Sequence, residues 1–270
     1  MTTVHTLNPL RYRAIWLSDV HLGYRGCKAD YLLDFLKSTE SDVLYLVGDI
    51  VDLWSMNRTM FWPQSHNNVI RTILGKAKHG TRIIYIPGNH DEQLRDYVGS
   101  VFGNVEIHEE YVHINPDGKR FLMLHGDAYD GIMHCSGLRY FVGNKAYDLI
   151  MYMNRHLYKW RQVLGFPYWS LASFLKTRVK DAVKHIQKFE EVVAADARNR
   201  GFDGVICGHI HHAGIRNIDG VTYCNDGDWV ENCTAMVETA EGKMEILHWS
   251  EKQEIVCSTQ TGQIESPVAA

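Results

Sequence analysis

Five apolar runs along the chain stop abruptly in acidic, amide or imidazole side chains. "RAIWL" runs into "SDVH", after which "DYLLDFLKS" places apolar residues at i, i+3 and i+4. "DVLYLV" runs into "GDIVD" and is followed by the helical pattern "NNVIRTILGKAKHG", closed by a C-terminal Gly; "TRIIYI" then runs into "PGNHD". This alternation of strand and helix predicts an α/β fold on a parallel sheet. The near-continuous Val, Ile, Leu and Tyr runs predict strands covered on both faces.

From residue 111 the pattern turns to hairpins. "YVHINPDGKRFLMLHGD" reverses at Pro-Asp-Gly, "AGIRNIDGVTYCND" at Asp-Gly and "AMVETAEGKMEILHW" at Glu-Gly, which predicts a mixed sheet or two stacked sheets. Between these hairpins, "RYFVGNKAYDLIMYMNRHLYKW" and "FLKTRVKDAVKHIQKFEEVVAADARNR" carry helix-spaced apolar positions. The chain therefore divides into a core of residues 1–130 and 201–250, a helical insertion of residues 131–200, and a loose C-terminal tail of residues 251–270.

At 270 residues and 45% apolar, the chain can bury one large core. A net charge of only -4 excludes a histone-like partner, so any anion must be bound locally. The charge is uneven: residues 131–199 hold 11 Lys/Arg against 5 Asp/Glu, which leaves the remainder near -10. Six cysteines without a CxxC pair read as reduced thiols of a cytoplasmic protein. The first residues lack the apolar core of a signal peptide, and no run approaches the ~20 apolar residues of a spanning helix. The expectation is a soluble or peripheral protein.

The polar run ends are Asp19 and His21, Asp49 and Asp52, Asn89 with His90 and Asp91, His125, and His209 with His211. In an open parallel sheet the carboxyl ends of strands meet at one crevice. Several carboxylates gathered there would repel one another, and one or two divalent cations would relieve the cost. Asp19 and His21, two apart on a segment expected to be extended, would point the same way, as would His209 and His211. Each cluster alone has a plain structural reading, such as a turn at Gly-Asn or a hydrogen-bonded buried histidine at 125. Their ordered combination points to metal chemistry.

The series "DVH", "GDIVD", "GNHD", "LHGD", "GHIH" resembles the calcineurin-like metallophosphoesterases over residues 19 to 211. The resemblance implies a four-layer α/β/β/α sandwich with two metal ions at the strand ends. It implies Asp19, His21 and His211 on one ion, Asn89, His125 and His209 on the other, and Asp49 bridging them. Mixed nitrogen and oxygen ligands suit Mn, Fe or Zn, with Mn expected; two such ions clamp phosphoryl oxygens and lower the pKa of a bound water. His90 would stabilise charge or protonate the leaving oxygen, with its ring held by Asp52 or, alternatively, by Asp91.

Within that superfamily, "LSDVHLG", "LVGDIVDLW", the helical insertion and "NDGDWVENCTA" most resemble UDP-2,3-diacylglucosamine pyrophosphohydrolases of lipid A synthesis. The resemblance implies cleavage of a pyrophosphate with release of UMP, and a helical lid that holds acyl chains. The position of His90 is commonly Arg in those enzymes, which implies a paralogue with a related substrate. "LGFPYWSLASFL", residues 164–175, is uncharged and suits an acyl groove or shallow contact with the cytoplasmic membrane face. Lys176, Arg178, Lys180 and Lys184 follow, and with Asn89 are candidates to meet a pyrophosphate. The competing reading packs the insertion's aromatics into a small core of their own.

A nuclease or cyclic-nucleotide phosphodiesterase is the rival enzyme reading. Nucleic acid is not an expected partner, because the basic residues are confined to the insertion. A non-catalytic scaffold is disfavoured by the seven filled ligand positions.

Overall fold

A computed structural model describes residues 9–131 and 180–250. Strand β1 (Leu10–Leu17) shows how one strand serves two layers. Ile15 and Leu17 face Leu32 and Phe35 of helix α1 (Ala29–Ser38) and Val69 and Ile73 of helix α3 (Gln64–Lys78). Ala14 and Trp16, on the opposite face, pack with Phe121, Met123 and Ile206 of a second sheet. Side-chain alternation along the apolar stretch Ala14–Leu17 thus demands cover on both sides.

The first sheet runs β12-β11-β1-β2-β3-β5-β4. Its centre is parallel: β1 pairs β2 (Thr39–Val47), β2 pairs β3 (Arg82–Ile86) and β3 pairs β5 (Val105–Ile107). Short β4 (Val101–Phe102) and the hairpin β11 (Thr234–Glu238) and β12 (Met244–His248) close its edges. The second sheet runs β6-β7-β8-β10-β9, with β6 (Tyr111–Ile114), β7 (Arg120–Met123), β8 (Gly204–Cys207), β9 (Gly214–Ile218) and β10 (Val221–Asn225). The three expected hairpins are β6–β7, β9–β10 and β11–β12. At the second, Asp219 and Gly220 have φ of 49° and 88°, the left-handed pair that a tight two-residue turn requires.

The fourth layer comes from the segment read as an insertion. Residues Lys180–Asn199 form helix α4, whose Phe189, Val193, Ala194 and Ala197 bury against Leu122, Val205 and Tyr223 of the second sheet. That 3.6-period stripe packs on the second sheet, although it lies within residues 131–200 of the expected insertion. Residues 132–179 and the tail 251–270 lie outside the described residues. Among the described residues no helix is long and apolar enough to cross a membrane.

Candidate metal centre

Each polar cluster follows a parallel strand: residues 19–21 follow β1, 49–52 β2, 89–91 β3, 125 β7, and 209–211 β8. Parallel strands end on one side, so five loops share one rim. The expected extended geometry within the pairs does not hold. Asp19, His21, Asp49, His209 and His211 all have positive φ, between 49° and 69°. A left-handed L-residue costs ~1–2 kcal/mol, and such residues gather where surrounding structure over-determines them. Here the loops brace each other: Asp19 N–H donates to Gly48 O, His21 N–H to Asp49 O and Leu22 N–H to Ile50 O. Two successive left-handed bends, rather than the strand period, set the direction of Asp19 and His21.

The side chains converge on Asp49. Its Oδ2 lies 3.4 Å from His125 Nε2, 3.8 Å from His21 Nε2 and 4.0 Å from His90 Nε2. Asp19 Oδ1 lies 3.1 Å from His211 Nε2 and 3.9 Å from His21 Nε2. Among the described residues three groups bring their donor atoms within 4.8 Å of one another: Asp19, His21 and His211; His21, Asp49 and His90; Asp19, Asp49 and His125. Asp19 Oδ1, His21 Nε2, Asn89 Oδ1 and His125 Nε2 are buried without a hydrogen-bond partner among the described residues. Buried polar atoms are ordinarily satisfied, so inward-facing orphans of this chemistry fit divalent cations.

The supporting residues orient these donors. His125 donates Nδ1–H to Val47 O at 2.9 Å, which leaves its Nε2 lone pair facing Asp49. Gly48 permits that approach, since a Cβ there would sit 2.2 Å from His125 Nδ1. His209 sets its ring 5.2 Å from that of His125, while its Nε2 lies 3.0 Å from both carboxylate oxygens of Asp130. His209 therefore reaches the rim without joining any of the three groups, and Asp130 is a partner that no sequence motif singled out.

Asp52 caps helix α2 (Leu53–Arg58) by accepting from Ser55 N–H, and its two oxygens also take His90 Nδ1 at 2.9 Å and His21 Nδ1 at 3.3 Å. Burial pushes its pKa up, but the bonds to His21 and His90 outweigh it and hold the carboxyl well below the usual range. The His90 ring is further enclosed by Trp54 at 4.5 Å and His21 at 4.6 Å. Asp91 does not meet the His90 ring. Its carboxylate, fully buried, gathers the amides of Gly88 and Ile50 at 2.6 and 2.8 Å, longer contacts from Asp49 and Val51, and the Tyr85 hydroxyl. Burial and the nearby Asp49 charge push its pKa up, yet the amides present only donors, which the ionised form alone can satisfy on both oxygens.

Ser18 and Asp226 also escaped sequence reasoning. Ser18 Oγ lies 2.6 Å from Asp19 Oδ2 and 2.7 Å from Asp226 Oδ1. One hydroxyl proton cannot serve two carboxylates. Burial pushes Asp226 up to about 8, and the Ser18 hydroxyl links its carboxyl group to that of Asp19. Of the basic candidates, Lys184 is exposed on α4, Lys180 begins that helix, and Lys176 and Arg178 lie outside the described residues.

The sequence profile of calcineurin-like phosphoesterases matches residues 12–213, a span that contains every one of these rim residues except Asp226. The chain belongs to the calcineurin-like phosphoesterase family. It is similar to a UDP-2,3-diacylglucosamine hydrolase of Aliivibrio fischeri, 24% identical over 80% of this chain and 90% of that protein. A hydrolase of the same name from Porphyromonas gingivalis is 28% identical over 44% of this chain, which spans about half (47%) of that relative. A DNA polymerase II small subunit of Methanothermobacter thermautotrophicus is 28% identical over 52% of this chain and 35% of its own length. Membership of this family, together with the hydrolases among its relatives, supports a metal-dependent phosphoesterase, and the groups Asp19–His21–His211 and Asp19–Asp49–His125 are where divalent cations fit.

Proposed function

We propose that this phosphoesterase is a dinuclear-metal pyrophosphohydrolase acting on UDP-2,3-diacylglucosamine or a closely related lipid-like nucleotide-sugar, with UMP released. The observation that carries the chemistry is the central position of the Asp49 carboxylate among donors from three other loops. The substrate class is supported by the A. fischeri relative, whose match extends over most of both chains.

Asp19, His21 and His211 would hold one ion, and Asn89, His125 and His209 the other, with Asp49 shared and Mn the metal proposed. His209 would bind through Nδ1, because Asp130 takes its Nε2. Two such ions supply Lewis-acid polarisation of phosphoryl oxygens and a lowered water pKa. His90 acts on the leaving side. With Nδ1–H donated to Asp52, its Nε2 is free to carry a proton to the departing phosphate oxygen. Trp54 and His21 hold the ring in that orientation. The imidazole at 90, where the related hydrolases commonly carry Arg, favours a substrate near to theirs over an identical one. The proposed setting is the cytoplasmic membrane face, where a diacylated substrate would be found.

The test compares Mn-dependent hydrolysis of UDP-2,3-diacylglucosamine, a cyclic nucleotide, short single-stranded DNA and bis-nitrophenyl phosphate. Turnover of the first and last is expected. Turnover of bis-nitrophenyl phosphate alone would retain the phosphoesterase and reject this substrate; preference for DNA or the cyclic nucleotide would replace it.

A further inference from the structure

Five of the ten large apolar side chains exposed among the described residues gather at one edge of the first sheet. Tyr97 is 50% exposed, Val98 41%, Val101 63%, Phe102 53% and Leu74 44%. They form one patch: the Tyr97 and Phe102 rings stack edge to face at 5.7 Å, and Leu74 of α3 reaches the turn at Gly103. Among the described residues the edge strand there, β4, pairs only with β5, so one side of its backbone faces outward.

Soluble proteins protect such edges with charge, proline or cover. The other edge of this sheet follows the rule, since β12 carries Glu245 in an ion pair with Lys243 at 2.7 Å. Residues 98–105, "VGSVFGNV", have no charged residue and no proline. A twofold contact sets the residue on the axis beside its own counterpart and the residues flanking it against one another, so a charged edge would repel itself and an uncharged one would not. At ~150–200 Å² for a whole side chain, the five half-exposed groups offer roughly 400 Å² per copy. A pair would bury about 800 Å² of apolar surface there, and the strand backbones and polar rim carry the total toward the ~1,200 Å² at which specific interfaces begin.

We infer that two copies of this chain associate through β4, antiparallel across a twofold axis with Val101 beside Val101 of the partner subunit, making one continuous sheet. The contact would also brace the metal rim. Tyr97 ends the short 3-10 turn Glu92–Tyr97, which begins directly after Asp91 and ties Arg95 to Asp127 at 2.8 Å.

Sedimentation of the full chain over roughly 1 to 100 µM tests this, since specific pairs of this size associate within or below that range. The expected result is a dimer for the wild type, and monomers for Val101→Lys and for Val101→Glu with unchanged circular dichroism. Mixing those two variants should restore a dimer, because Lys then faces Glu across the axis. Met60→Lys, at an exposed apolar residue on another face, should leave the wild-type dimer intact. A wild type monomeric at the top of the range overturns the inference. So does a Val101→Lys protein that still dimerises, or two folded variants whose mixture stays monomeric.

Discussion

Replacing Asp91 tests whether the rim is held by one buried carboxylate. Its oxygens tie the loop after β3 to the loop after β2: Gly88 N–H and Asp49 N–H meet Oδ1, while Ile50 N–H, Val51 N–H and the Tyr85 hydroxyl meet Oδ2. Three of these contacts, from Gly88, Ile50 and Tyr85, are 2.8 Å or shorter. A hydrogen bond to a charged group contributes about 1.5–3 kcal/mol, and a buried donor left unpaired costs about 1–3 kcal/mol. Allowing for overlap among neighbours, Asp91→Ala should cost on the order of 4 kcal/mol. Asp91→Asn should do little better, because its amide nitrogen must turn toward one of the two sets of N–H donors. For a chain of this size ~4 kcal/mol lowers the melting temperature by roughly 10 °C. Calorimetry and denaturant unfolding of both variants, each with and without Mn, would measure it. If Asp91→Ala and Asp91→Asn both remain within ~1 kcal/mol of wild type, the carboxylate is not what holds the two loops.

Two further outcomes follow from the contacts of His90 and His66. His90→Asn should keep metal affinity, read by titration calorimetry, and lose roughly 10²–10³-fold in rate on substrates whose leaving group has a high pKa; equal losses with nitrophenyl and alkyl leaving groups would exclude proton donation. His66, buried on α3, accepts from Gly23 N–H at 2.9 Å through Nδ1, and burial pushes its pKa down to about 4. The neutral ring is favoured in the fold, so its contribution is complete above pH ~6.5 and lost as the pH falls through ~4, a swing of up to about 3 kcal/mol. His66→Asn, which keeps an acceptor near the same place, should flatten stability across that interval, and an unchanged pH dependence would show that another group is responsible.

Much of this molecule can be read along the chain because its signals are local. Apolar runs with no polar face require two covers, which is why β1 and β2 lie between helices and a second sheet. Asp219-Gly220 dictates a tight hairpin from its own backbone preferences. The polar residues at strand ends could be picked out because chain direction alone puts the ends of parallel strands together. Other features depend on distant partners. Nothing around Asp130 in sequence says that its carboxylate meets His209, and Asp226 reaches Asp19 only through Ser18. The period of α4 shows an apolar stripe but not which layer it covers, so its place on the second sheet had to come from packing.

The left-handed residues mark the division most sharply. The sequence by itself determined which Asp, His and Asn side chains could serve a metal and that they would share one rim. It placed the paired residues on extended backbone, where direction follows the strand period. Only the tertiary structure decided that Asp19, His21, Asp49, His209 and His211 adopt positive φ. That conformation is unfavourable for each residue alone, and it persists because hydrogen bonds between loops, such as Asp19 N–H to Gly48 O, form only when the strands already lie side by side.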